Sequence, residues 1–256
     1  MRTLRLARGR EQGYSLVELL VVCAVLGLVM GGVLTLYMTG STVALTGQNK
    51  TEAQQGARGT LLMEEDLRQA GYGFPANTIA NPVFSAASAT SVTFWADLTN
   101  ASTTLSAAAA SGDTTLAVTT GAGFASPNVI YVINGGVWET ATVASATATT
   151  ITLVSGLTNA YPPGAQVGLP RQITYSWDGV GTLSRNGGAG AQAVVTGVTA
   201  FQVSYYDTTE ALIPTASLSA NLANIRRVVI SMTVQSAAAQ NRSTFTLNAS
   251  VRPRNL

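Results

Sequence analysis

Gly13-Tyr14-Ser15-Leu16-Val17-Glu18-Leu19-Leu20-Val21-Val22 opens the stretch on which the fold turns. The run stays apolar over residues 16–38, and Glu18 is its only charge. About 20 such residues cross the hydrocarbon core of a bilayer as a helix. Arg2, Arg5, Arg8 and Arg10 precede the run, and no basic residue follows until Lys50 and Arg58. That asymmetry predicts an arginine-rich side held in the cytoplasm and an exported remainder. Three fates of the run fit this much. It is a plain membrane anchor, a secretory signal cut behind it after Thr42-Val43-Ala44, or a retained helix whose short basic leader is cut in front of it.

The residues around Gly13 bear on that choice. A short basic leader ending in glycine, then an aromatic residue, then a glutamate four positions on, resembles the type IV prepilin N-terminus. Gly13 stands where the family's leader ends, Tyr14 where the mature chain begins (usually Phe), and Glu18 where the family carries its fifth-position glutamate. The resemblance implies cleavage between Gly13 and Tyr14 by a prepilin peptidase, N-methylation of Tyr14, and a helix that anchors the subunit in the inner membrane before packing into a filament with other pilins.

Glu18 also has a local explanation. Ser15-x-x-Glu18 is a capping box, and an acid in a first turn complements the helix dipole. A carboxylate near the centre of a membrane helix costs about 2.5–3.5 kcal/mol, less toward the end, so a partner is expected. The resemblance implies that this partner is the terminal amine of a neighbouring subunit.

No proline occurs before Pro75, so a single helix is expected over residues 14–70, with 14–38 in the membrane or filament core. Ala53, Gly56, Thr60, Met63, Leu67 and Ala70 alternate spacings of three and four and predict one buried stripe, small enough at several positions to lie close on a sheet. Gly27, Gly31 and Gly32 fit either close helix–helix approach or a segment able to unwind. Glu64, Glu65 and Asp66 point to different faces of a helix and do not make a metal site. The stretch 61–72, with its Glu-Asp-Leu-Arg-Gln-Ala-Gly-Tyr ending, resembles the end of the long helix in PilW-like minor pilins and in J-type pseudopilins of type II secretion.

Beyond Gly71 the composition turns to Thr, Ser, Ala, Val and Gly. Alternating strands are predicted at 91–95, 173–177, 198–206, 227–235 and 243–251, separated by turns such as Asp178-Gly179 and Asn186-Gly187-Gly188. The expectation is an α+β, pilin-like fold: a long N-terminal helix packed on an antiparallel sheet formed within residues 71–256. Residues 102–169 read as an inserted small β module of four strands, loosely similar to modules of phage-tail and surface proteins. The closing Val251-Arg252-Pro253-Arg254-Asn255 is similar to the PilW-like ending.

Composition narrows function further. Charged residues are 10%, mean hydropathy is +0.27, histidine is absent and Cys23 is the sole cysteine. Histidine-dependent nucleophilic catalysis, His-ligated metals, intrachain disulfides and Cys-rich zinc sites are excluded. The four leader arginines and Glu11 contribute +3 to a formal net charge of +2, so residues 14–256 carry −1 and give no sign of nucleic-acid binding. The acids of the exported part are dispersed, and no catalytic residue, cofactor or metal is expected. The reading is a PilW-like minor pilin, residues 1–13 being its leader, that starts or caps pilus assembly from the periplasmic side of the inner membrane. A type II secretion pseudopilin and a secreted or anchored binding protein with a conventional signal are the alternatives.

Overall fold

An unbroken helix, α1, runs over Leu16–Arg68 in the computed structural model, which describes residues 15–99, 101–235 and 243–256. The chain divides into two units, Met1–Gln48 and Asn49–Leu256. In the first, α1 presents its apolar side chains outward, with Leu16 78%, Leu28 79% and Tyr37 76% exposed.

Beyond α1, the second unit is antiparallel β structure with two short 3-10 helices, Thr215–Ala220 and Leu222–Asn224. Its strands are β1 (Phe84–Ala87), β2 (Ser91–Ala96), β3 (Thr103–Thr104), β4 (Thr115–Ala117), β5 (Val129–Asn134), β6 (Val137–Ala146), β7 (Thr150–Leu153), β8 (Gln166–Gly168), β9 (Arg171–Trp177), β10 (Thr182–Asn186), β11 (Ala191–Thr196), β12 (Val198–Tyr206), β13 (Arg227–Gln235) and β14 (Thr244–Val251). They form sheets of order β1-β2-β9-β10-β11, β12-β13-β14 and β3-β8-β5-β6-β7-β4. Only Gly197 separates β11 from β12, so one length of chain closes the first sheet and then opens the second. The Gln235 N–H donates to the Gly197 carbonyl at this corner, at 2.8 Å.

The first two sheets and the second half of α1 share one core. Met63 and Leu67 of α1, and Ala70 just beyond it, are fully buried with Phe94, Ile173, Val195, Ile230 and Met232. Residues 101–169 have a second core, built on Leu116, Ile130, Val132, Val143, Ile151 and Val167. Period-two alternation explains how β5 serves both: Ile130 and Val132 face the second core, while Tyr131 turns to the first. There its ring lies 5.3 Å from Phe74 and 5.9 Å from Trp95, and Trp138 stacks on its outer side at 5.8 Å.

The buried stripe of α1 is wider than the spacing predicts. Ala53 is only half-buried, while Gly59 and Asp66 join the stripe. Gly56 and Gly59 set how near the helix comes. A β-carbon on Gly56 would stand 2.9 Å from Leu247 Cδ1, and one on Gly59 would stand 2.1 Å from Val195 Cγ2. Strands β10 and β11, which the sequence marks only as turn-flanked, supply Leu183 and Val195 to this core.

The end of α1 is sealed by distant chain. The Arg68 carbonyl accepts the Arg254 N–H at 3.1 Å, and the Gly71 N–H donates to the Trp95 carbonyl at 2.8 Å. Gly71 sits at φ +85°, where a side chain would meet the Asn255 carbonyl oxygen at 2.5 Å. The Arg254 bond satisfies a carbonyl that a helix C-terminus otherwise leaves open.

Alanine is worth about 1 kcal/mol more than glycine in an open helix. At Gly59 the sign reverses, because overpacking typically costs about 1–3 kcal/mol. Gly59→Ala is therefore expected to destabilise the full-length protein, measured by denaturant unfolding in micelles. A neutral or stabilising result would mean that α1 and β11 stand further apart than described.

Candidate functional site

Glu18 lies in the first turn of α1 and is exposed on a helix whose neighbours are all apolar. The local geometry follows the capping box. Ser15 Oγ accepts the Val17 N–H at 3.4 Å, and the Ser15 N–H donates to Glu18 Oε2, also at 3.4 Å. Both bonds are long, so the cap leaves most of the carboxylate's hydrogen-bonding capacity open. The predicted processing residues, Gly13 and Tyr14, lie outside the described residues.

Within Leu16–Ser41 the most apolar 18 residues have a mean hydropathy of 2.7 and none of them is buried; the whole segment is 26 residues long. At 1.5 Å per residue that is about 39 Å, more than a hydrocarbon core of about 30 Å. Hydroxyls on this helix are satisfied internally. Thr35 Oγ1 donates to the Gly31 carbonyl at 2.8 Å, Thr39 Oγ1 to Thr35 at 2.9 Å, and Ser41 Oγ to Met38 at 2.8 Å. Such back-bonding removes the cost of bare hydroxyls in an apolar medium. Gly27, Gly31 and Gly32 carry the helix without a break, and no neighbour approaches the place of their missing side chains.

A second polar constellation was not legible as a site in the sequence. Tyr175 on β9 and Arg185 on β10 stand directly opposite each other. Both reach Asp66 Oδ2 of α1, the tyrosine hydroxyl at 2.7 Å and Arg185 Nε at 2.6 Å. Asp66 is only 5% exposed. Burial, and then the Asp66 charge, push the Tyr175 hydroxyl far above its ordinary range, so it remains a donor at all physiological pH. The other two acids of the triplet go elsewhere: Glu64 pairs with Arg68, and Glu65 is exposed. The signal for Asp66 was its spacing: Gly59, Met63, Asp66 and Ala70 repeat at four, three and four.

The remaining acids serve turns and ion pairs. Asp178 Oδ1 accepts the N–H groups of Val180, Gly181 and Thr182 at 2.8–2.9 Å and closes the β9–β10 turn. Burial works against the Glu139 charge, but the Thr158 and Asn159 N–H groups outweigh it and hold the carboxyl below its usual range. Glu210 pairs with Arg227 and Arg252. Among the described residues no group of three acidic or cysteine side chains is placed to hold a metal.

Residues 8–34 match a family model described as the prokaryotic N-terminal methylation motif, the type IV prepilin-like signature. No curated protein matches the chain. The motif and the apolar helix behind it support a membrane-anchored pilin- or pseudopilin-like protein, and they imply processing by a prepilin peptidase and assembly with other pilins.

Two expectations follow for the second unit. Stranding a buried member of an ion pair costs about 3–5 kcal/mol, reduced here because Arg185 is partly solvated. Asp66→Asn should lower stability by about 2 kcal/mol, and a double-mutant cycle with Tyr175→Phe should show strong coupling. Additive effects would remove the network. The Gly181, Thr182 and Val180 N–H groups bring the Asp178 carboxyl down to about 2. This group therefore adds stability above its unfolded pKa near 4, and the contribution fades as pH falls toward about 2. Carboxyl NMR titration checks it, and a midpoint near the ordinary aspartate value would contradict the turn geometry.

Proposed function

We propose that this chain is a minor pilin: a structural subunit that enters the inner membrane through residues 14–38, is trimmed before Tyr14, and helps start or cap a type IV pilus. The observation that carries the reading is Glu18, an acid with open valences one turn into the otherwise uncharged, exposed first part of α1, directly inside the methylation motif. An apolar helix face and one acid that needs a partner once that face is covered are assembly chemistry. Helices bury against each other, and the carboxylate selects the register in which a neighbour's terminal amine meets it. The PilW-like ending of α1 and the capping role of residues 254–255 agree with a helix locked onto a β-rich periplasmic domain. The chain works by association, not catalysis, a reading supported by the lack of histidine and by acids committed to turns and ion pairs.

Mass spectrometry of the mature protein should find N-methylated Tyr14 at the amino end. A chain beginning at Leu45 would replace the pilin reading with a secreted one. Glu18→Ala and Glu18→Leu should insert and be cleaved normally yet be depleted at least about tenfold from sheared filaments, as loss of a buried charge pair predicts. Normal incorporation of both would reduce Glu18 to a helix cap.

A further inference from the structure

The inserted module and the turn that follows α1 together enclose a half-open cleft of about 280 Å³. Tyr72 and Gly73 form one wall, and Ser102, Thr104, Thr120, Ile133 and Gln166 of the module form the rest. We infer that this cleft is a binding site for a neutral sugar, and that Trp138 extends it to a second ring. The inference is independent of the filament reading, since it concerns residues that lie outside the methylation motif.

The lining decides the ligand class. None of the lining side chains is charged. An ionic ligand would give up its hydration there without a counter-charge, which is strongly unfavourable. Hydroxyl and carboxamide groups both donate and accept. They match a ligand whose own groups do both, as sugar hydroxyls do. Ile133 and the ring of Tyr72, 37% exposed, provide the apolar strip against which the C–H face of a pyranose lies. The volume is near the lower end for ligand pockets and suits one ring.

Strand register then gives the direction of a longer chain. Thr104 pairs with Gln166, Gln166 with Ile133, and Ile133 with Trp138. The four lie in one row across β3, β8, β5 and β6, each about 5 Å from the next. Trp138 is 37% exposed and is held in place by its stack on Tyr131. A flat, braced indole one strand beyond a hydroxyl-lined cleft is the arrangement that receives the next sugar ring.

The test is binding of neutral oligosaccharides to the full-length protein in phosphocholine micelles, which avoid sugar headgroups. Cello-, malto- and chitotetraose are titrated against a uronic-acid tetramer, followed by tryptophan fluorescence and saturation-transfer NMR. At least one neutral tetramer should bind saturably with Kd of about 0.1–1 mM, and the acidic one at least about tenfold more weakly. Gln166→Ala and Thr104→Val should each weaken binding about fivefold or more with unchanged melting curves. Trp138→Ala should weaken the tetramer and spare the monosaccharide. Absence of saturable neutral binding, preference for the acidic sugar, or affinity untouched by all three substitutions would overturn the site.

Discussion

The buried carboxylate of Asp66 fixes how the helix is turned on its sheet. A helix whose buried stripe is mostly Gly, Ala, Thr, Met and Leu slides or rotates at modest cost, because dispersion contacts are non-directional. Asp66 removes that freedom. Its Oδ2 must meet both Tyr175 and Arg185, which are themselves locked opposite one another by strand pairing. A rotation that takes the carboxylate away strands a charge in the core and leaves a tyrosine hydroxyl and a guanidinium without an acceptor. Hydrophobic burial brings helix and sheet together, and the polar triad selects one orientation from the many that would bury similar area.

Glycine then sets the depth of that seat. With Gly59 against Val195 and Gly56 against Leu247 and Val234, the helix backbone lies on both of the sheets joined at Gly197. The two halves of α1 obey opposite rules. Over residues 49–68 the apolar stripe is narrow and buried, while over residues 16–38 apolar side chains cover every face and are exposed. The second pattern suits a surrounding of lipid or other apolar helices, and water is the one medium it does not fit.

Much of this was legible in the residues. The long helix, the α+β class and the strands at β2, β9, β12, β13 and β14 follow from the lack of proline before Pro75 and from clean period-two alternation. What escaped reading has physical reasons. Strands β1, β10 and β11 are only four, five and six residues long, so their sequence carries little alternation, and their pairing is imposed by neighbours. Asp66 escaped because three successive acids look like a solvated helix face. Its burial depends on Tyr175 and Arg185 more than a hundred residues away. Glu18 was legible because a lone charge in an apolar run is conspicuous at any range.

The seal on the helix end ties its completion to the last residues of the chain. Asn255 and Ala70, joined at the C-terminal turn of α1, are 185 residues apart. β14, which contributes Leu247 opposite Gly56, also arrives late. On the proposed reading, in which the chain beyond residue 38 is exported, the helical stripe stays incompletely covered until residues 244–255 have crossed. Closing so long a loop is slow, because its entropy is lost before the contacts form. During that interval the only protection for the stripe is whatever the translocating chain meets on the far side. A subunit that assembled before its tail had docked would present an unclamped helix to its neighbours. On that reading, the position of the clamp makes completion of the β-rich unit a checkpoint on readiness to assemble.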